Sequence, residues 1–423
     1  MQPPSRPLRF VHTADLHLGS RVITLPGMHP DVSSSLTDAT YTAWQSIIDL
    51  CIREEVDFLL VAGDVYDSAD RNIRAQLQFR DGLRQLEKSG IAAYIVHGNH
   101  DPANAWSRSI QLPKNAHCFS SDEPEVIIHS DQDGTPIAAI AGMSFATAHI
   151  RENLAERFPP RDREWPFSIG LLHCSIGGAA GHEPYAPCSI DDLRECGYEY
   201  WALGHIHQPA TISAGDPYII YAGNPQGRDM GETGDRGCRL VTVNIDGSVG
   251  IESVRTGSYR WDLIEIDISG ASDLGILEEK IRERLAAVSE EAYGPIITRL
   301  ILTGVTPLNH ELAGGGITAL AERLTEDTPV GKHPVYPERI ISRTTPQINR
   351  EEIIAREDIL GEICKKSAGL LSGEKQRIAE AIAPLYISYA RSYLNQPDDD
   401  EITAIIEEAE ALLLSRLAAG GIE

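Results

Sequence analysis

At 423 residues the chain is longer than one hydrophobic core usually supports, so it is expected to divide into two or three structural units. No apolar run approaches the ~20 residues of a membrane span, and the opening MQPPSRPLRF lacks the apolar stretch of a signal peptide, which gives a cytoplasmic reading with no membrane partner. Seven cysteines without a C-x-x-C pair exclude a disulfide framework and a zinc ribbon, and a net charge of −25 counts against unaided gripping of a polyanion such as DNA.

Short apolar runs at 8–14, 56–62 and 91–97 predict strands, and amphipathic stretches near 38–54 and 70–89 predict helices between them, a βαβαβ opening. Further runs at 137–142, 167–172, 198–203, 217–221, 238–245 and 249–254 come with few helix signals, which predicts layered sheets covered by helices. WDLIEIDI then reads as a strand. Leu274, Leu277, Ile281, Leu285 and Val288 form one apolar helical stripe, and Pro295 to Leu302 is another strand. The expected domains are therefore 1–258, a small α+β unit over 259–340, and a helical region over 341–423 that opens on the linker ISRTTPQIN. That last region is predicted to break at Pro384 and again at NQPDDD, and acidic residues outnumber basic ones by seven from 350 onward. Such an acidic helical face suits solvent or a protein partner better than DNA.

Chemistry-bearing residues gather directly after the apolar runs. Asp15-Leu-His17 follows the first, and residues two apart in an extended chain point to one side. Alone the triplet reads far more readily as a solvated turn. Gly63-Asp64-Val-Tyr-Asp67 follows the second run, and a capping Asp in a turn is its bland alternative. Gly98-Asn99-His100-Asp101 follows the third, where a turn explains Gly and Asn but not His-Asp. His173 ends FSIGLLH, and Gly204-His205-Ile206-His207 follows YEYWAL. One such histidine is usually a satisfied core group, but five run ends all closing on ligand-type residues are not. Two Asp, one Asn and four His are too many donors for one ion and enough for two, and paired cations stabilise both the attacking and leaving oxygens of an in-line displacement at phosphorus. Asp64 is the natural bridging carboxylate. His12 and His97 read as core or supporting groups, Tyr386, Tyr389 and Tyr393 as packing, and Arg21, Arg71, Arg74 and Arg108 are given no role.

In this order the motifs D-x-H, G-D-x-x-D, G-N-H-D, H and G-H-x-H resemble the calcineurin-like metallophosphoesterase superfamily. TADLHLGS, GDVYDSAD, VHGNHDP, LLHCS, ALGHIHQP and YAGNPQGRDMGETGDRGC narrow the resemblance to SbcD-type DNA repair exonucleases, their YhaO-like branch especially. The resemblance implies a four-layer αββα sandwich with a small α+β capping domain and a helical C-terminal tail. It implies one divalent metal on Asp15, His17, Asp64 and His207 and another on Asp64, Asn99, His173 and His205, with Mn2+ the usual ion. A metal-activated hydroxide would attack the DNA phosphodiester, and His100, oriented by Asp101, would stabilise the phosphorus centre or protonate the leaving oxygen. Some relatives carry a second catalytic histidine where Asp67 stands here. The resemblance also implies an SbcC-like coiled-coil ATPase partner and allows a homodimer. LSGEKQR, without a Walker lysine motif, reads as a helix start near Ser372 and Gly373. The competing readings are an enzyme of small phosphodiesters and a non-catalytic scaffold; the Arg-Gly of phosphoprotein phosphatases is replaced by Ser68-Ala69.

Overall fold

The computed structural model describes residues 6–20, 30–67, 73–104, 111–177, 185–326, 332–347, 350–373, 375–388 and 398–419. Arg21, Arg71, Arg108, Tyr389 and Tyr393 lie outside them. The chain separates into two compact units, Met1–Asp262 with Gly294–Ile296, and Leu263–Tyr293 with Ile297–Glu423.

The strands of the first unit are β1 Leu8–Thr13, β2 Phe58–Ala62, β3 Ala92–Val96, β4 Ala116–Cys118, β5 Glu125–Ser130, β6 Pro136–Gly142, β7 Phe167–His173, β8 Tyr200–Gly204, β9 Ala210–Ala214, β10 Tyr218–Tyr221, β11 Gly237–Val243 and β12 Val249–Arg255. They form two six-stranded sheets, in the orders β12-β11-β1-β2-β3-β4 and β5-β6-β7-β8-β10-β9. The strands that precede the candidate ligands run parallel within each sheet: β1 with β2, β2 with β3, and β7 with β8. Parallel strands align their carboxyl ends, so residues distant in sequence arrive along one edge.

Side-chain alternation explains the layering. Leu8, Phe10, Phe58 and Leu60 join Phe167, Ile169 and Tyr200 in one core between the sheets. Val11, Leu59 and Val61 point the other way, against α2 Ala39–Arg53 and α3 Ile73–Lys88, which follow the short α1 Pro30–Thr37. Trp44 of α2 meets Phe79 of α3 with ring centroids 5.0 Å apart. On the outer face of the second sheet Leu172, Trp201 and Ile219 pack on Phe145, Phe158 and Leu193, the last from α4 Ile190–Glu195. This is the expected αββα sandwich, and burying each large apolar side chain stabilises it by about 1.5–3 kcal/mol.

His12 lies on the inter-sheet face of β1, as a core group. Its Nε2 donates to the Leu203 carbonyl at 3.2 Å and its Nδ1 lies 3.1 Å from the Tyr200 hydroxyl. Burial pushes its pKa from 6.5 down to about 3. The unfolded chain therefore binds the extra proton between about 3 and 6.5, so this group's contribution to stability is full above 6.5 and is lost, by up to ~5 kcal/mol, as the pH falls through that window. In histidine-labelled NMR spectra His12 is expected to stay neutral down to pH ~4; protonation near its ordinary value would contradict the burial argument.

In the second unit β13 Arg260–Asp267, α5 Leu274–Glu291, β14 Ile296–Thr303, β15 Val305–Thr306, α6 Asn309–Glu311, α7 Ile317–Glu326, β16 Val335–Ser342 and β17 Thr345–Pro346 give a three-stranded sheet, β13-β14-β16, with helices. The Asp273 side chain caps α5 by accepting from the Ile276 amide at 3.0 Å, and Leu277, Ile281 and Val288 of the expected stripe are buried. The helices α8 Arg350–Ile354, α9 Ile359–Gly373, α10 Lys375–Ser388 and α11 Asp399–Ala419 follow. Leu360 and Cys364 of α9 pack against Leu414 of α11. Two expectations fail here. The helix α10 runs through Pro384, whose missing N–H costs the helix one backbone donor without ending it; and Ser372 and Gly373 belong to α9 instead of capping the next helix, with Glu374 outside the described residues. No described helix is long and apolar enough to cross a membrane, and all seven cysteines are free.

Candidate metal centre

The loops leaving β1 and β2 are laced together: the Asp15 amide donates to the Gly63 carbonyl, the His17 amide to that of Asp64 and the Leu18 amide to that of Val65, at 2.9–3.1 Å. This ladder forces an unusual backbone. Asp15, His17, Asp64 and His205 all adopt positive φ, between 43° and 94°, which L residues hold only when their surroundings over-determine it. Glycine is required at 204, where a Cβ would collide with the Ala62 carbonyl and crowd His173 Nδ1. The Asp15 carboxylate accepts the His205 amide at 3.0 Å, tying the first sheet's edge to the second's.

Six of the seven expected ligands are linked by direct distances at this edge, and the seventh, Asp15, approaches His173. His17 Nε2 stands 3.2 Å from His207 Nε2 and 3.9 Å from an Asp64 oxygen. His173 Nε2 lies 3.4 Å from the same Asp64 oxygen and 2.9 Å from Asn99 Oδ1, which is 3.3 Å from His205 Nδ1. His173 Nδ1 is 4.0 Å from Asp15. Donor atoms of Asp15, His17 and His207 fall within 4.8 Å of one another, as do those of Asp15, Asp64 and His173.

The hydrogen-bond partners decide what these nitrogens offer. His17 Nδ1 donates to Asp67 at 2.6 Å and His173 Nδ1 to the Ala62 carbonyl at 2.9 Å; His207 Nδ1 lies 2.7 Å from Glu232, its shorter contact and the one that can accept its proton, and 3.1 Å from the Arg228 guanidinium. Oxygens that only accept hold the proton on Nδ1 and turn Nε2 inward, where a neutral ring offers its lone pair. Two such lone pairs 3.2 Å apart, from His17 and His207, repel unless a cation lies between them, so the residues present fit a metal. The electrostatics agree. Burial opposes charge on His173, yet Asp64 and Asp15 raise it to about 9, so this point attracts positive charge. Burial likewise opposes ionisation of Asp64, and His173, His17 and His100 hold it far below the usual carboxylate range. Burial dominates at His17 and lowers it, keeping its imidazole neutral, as a ligand requires.

One expectation is corrected. Asp101 does not orient His100: its buried carboxylate accepts from the Gly98 amide at 2.9 Å and the Val65 amide at 2.8 Å, and so fixes the G-N-H-D turn. Burial and Asp64 raise Asp101 to about 7. The carboxylate facing His100 is Asp67, 3.3 Å from Nδ1, and it raises the His100 pKa. His100 also gives its amide to Asp64 at 2.8 Å and leaves its side chain 42% exposed, accessible from solvent. Sequence reasoning thus passed over Glu232 and Arg228, and it named Asp67 without this supporting role. Arg74, by contrast, is taken up by Asp38 at 2.8 Å and the Tyr41 ring.

Comparison with known proteins fits this geometry. A family model described as calcineurin-like phosphoesterase matches residues 8–209, and one described as the middle domain of metallophosphoesterase YhaO matches residues 261–345. The chain is 32% identical over 413 residues to the uncharacterized metallophosphoesterase YhaO of Bacillus subtilis (strain 168), covering 97% of this chain and 98% of that protein. It belongs to the calcineurin-like metallophosphoesterase family. The DNA double-strand break repair protein Mre11 of Sulfurisphaera tokodaii is 28% identical over 225 residues, 51% of this chain and 54% of that protein. Mre11 of Methanococcus maripaludis is 24% identical over 343 residues, 76% and 85% of the two chains. Calcineurin-like metallophosphoesterases use divalent metals to hydrolyse phosphoesters, which is the chemistry that the clustered donors suit.

Proposed function

We propose that the protein is a manganese-dependent DNA nuclease that hydrolyses phosphodiesters at a two-metal centre. The observation that carries the reading is the facing pair His17 Nε2 and His207 Nε2, each ring with a carboxylate behind it that accepts from Nδ1. Asp15, His17, Asp64 and His207 would hold one ion, and Asp64, Asn99, His173 and His205 the other. Two divalent cations supply Lewis acidity, lowering the pKa of water and neutralising charge at phosphorus. The chain's own residues do the rest. Asp64, fixed by the His100 amide, spans both ligand sets; His100, steadied by Asp67, gives a proton to the leaving oxygen; and Asp101 keeps the His100 turn in place.

DNA as substrate is supported by the SbcD-type motifs and by the Mre11 relatives named for double-strand break repair. With a net charge of −25, the subunit would act in the cytoplasm alongside an SbcC-like coiled-coil ATPase that supplies the grip on DNA, and a homodimer is compatible with the same reading. In this view 1–258 is the nuclease domain, 259–340 a cap and 341–423 the docking region. The test is incubation of the metal-free protein with linear duplex DNA and, separately, with bis(p-nitrophenyl) phosphate, each with and without Mn2+. Release of nucleotides that requires Mn2+ and falls on the order of 10²-fold or more in His100→Ala is expected. Hydrolysis of the small diester alone would replace DNA with a small-phosphodiester substrate.

A further inference from the structure

The two carboxylates behind His17 and His207 are not independent. Glu232 accepts from His207 Nδ1 at 2.7 Å, from the Asn224 amide group at 2.7 Å, from the Arg228 backbone amide at 2.8 Å and from the Arg228 guanidinium at 2.9 Å. The same guanidinium places NH1 3.8 Å from Asp67, whose other oxygen receives His17 Nδ1. Arg228 thus stands between the two carboxylates with its side chain only 20% exposed, in a setting where a charge-assisted fork holds its geometry well. Burial opposes ionisation of Glu232, but His207 and Arg228 keep it charged, and Asp67 is held ionised by His100, His17 and Arg228 in the same way. His173, a member of the other ligand set, is instead held by a backbone carbonyl.

We propose that Asp67, Glu232 and Arg228 form one positioning unit for His17 and His207, and so control the binding of one of the two metal ions. The three residues touch neither ion nor substrate; they act through the two imidazoles. Each carboxylate fixes a ring's tautomer and aims its Nε2, and Arg228 makes the two carboxylates respond to one another. The proposal rests on the two-metal reading of the ligand set.

The test titrates Mn2+ into the metal-free full-length protein, followed by calorimetry and by the manganese EPR signal. Wild type binds two ions. Asp67→Asn and Glu232→Gln each weaken one ion about 10–100-fold and leave the other unchanged. Because Arg228 joins the carboxylates, the loss in the double variant differs from the product of the two single losses by about threefold or more, and in an Arg228→Met background the losses multiply. Substitutions that weaken both ions alike, or neither, overturn the proposal, as does simple multiplication with Arg228 present. Fewer than two ions in wild type would instead overturn the two-metal reading. A second readout needs no variant: nitrogen-15 spectra of the metal-free wild type should show a proton retained on Nδ1 of both His17 and His207, and an unprotonated Nδ1 on either ring would contradict the positioning role.

Discussion

Asp64→Asn is expected to reduce phosphodiester hydrolysis by on the order of 10³-fold or more, about 4 kcal/mol of barrier, while the fold persists. Asp64 is buried, lies within 3.4–3.9 Å of histidine nitrogens from both ligand sets, and is held ionised by three imidazoles. An amide of the same shape still accepts the His100 backbone N–H, so the turn after β3 survives. It cannot supply the negative charge that two closely spaced cations share. Metal content should fall from two ions to one or none per chain, and a variant that keeps wild-type turnover would show that Asp64 does not bridge. Circular dichroism and thermal melts of the metal-free proteins separate loss of chemistry from loss of fold.

Gly204→Ala should be almost as damaging by a different route. The added methyl would collide with the Ala62 carbonyl and press on His173 Nδ1, and it has no flexible neighbour to displace, since the first contact is backbone at the end of β2. Overpacking of this kind costs about 1–3 kcal/mol of stability. The functional loss should exceed what stability explains, because the same carbonyl holds His173 and the next residue is His205. Manganese titration is the informative readout: the ion of the Asn99–His173–His205 set should weaken by about tenfold or more even where the protein remains folded at the assay temperature. Wild-type affinity for both ions would mean that the close approach at Gly204 carries no weight.

Much of the centre was legible in sequence because its physics is local. Candidate ligands that are to meet along the aligned ends of parallel strands stand at or just beyond the ends of apolar runs, as 15, 17, 64, 99, 173, 205 and 207 all do. The supporting layer was harder to read. Glu232 sits 25 residues beyond His207, on an irregular segment between β10 and β11 where no periodicity says which way a side chain points. Asp67 was visible in the G-D motif, yet only three-dimensional proximity shows it serving both His17 and His100. Asp101 misled for a related reason: adjacency in sequence suggested a pair with His100, whereas a tight turn points neighbouring side chains apart and sends this one to backbone amides. The edge strands β4 and β5 were missed because their short, half-buried, mixed sequences lack the longer apolar run of a central strand. Pro384 shows the converse, a local breaker signal that its helix absorbs.

The most direct test of the two-metal account is anomalous diffraction from crystals grown with Mn2+ and recorded at the manganese edge. Two peaks are expected, roughly 3.5–4 Å apart, one among Asp15, His17 and His207, the other among Asn99, His173 and His205, with Asp64 between them. A single peak, or peaks away from these residues, would contradict the assignment.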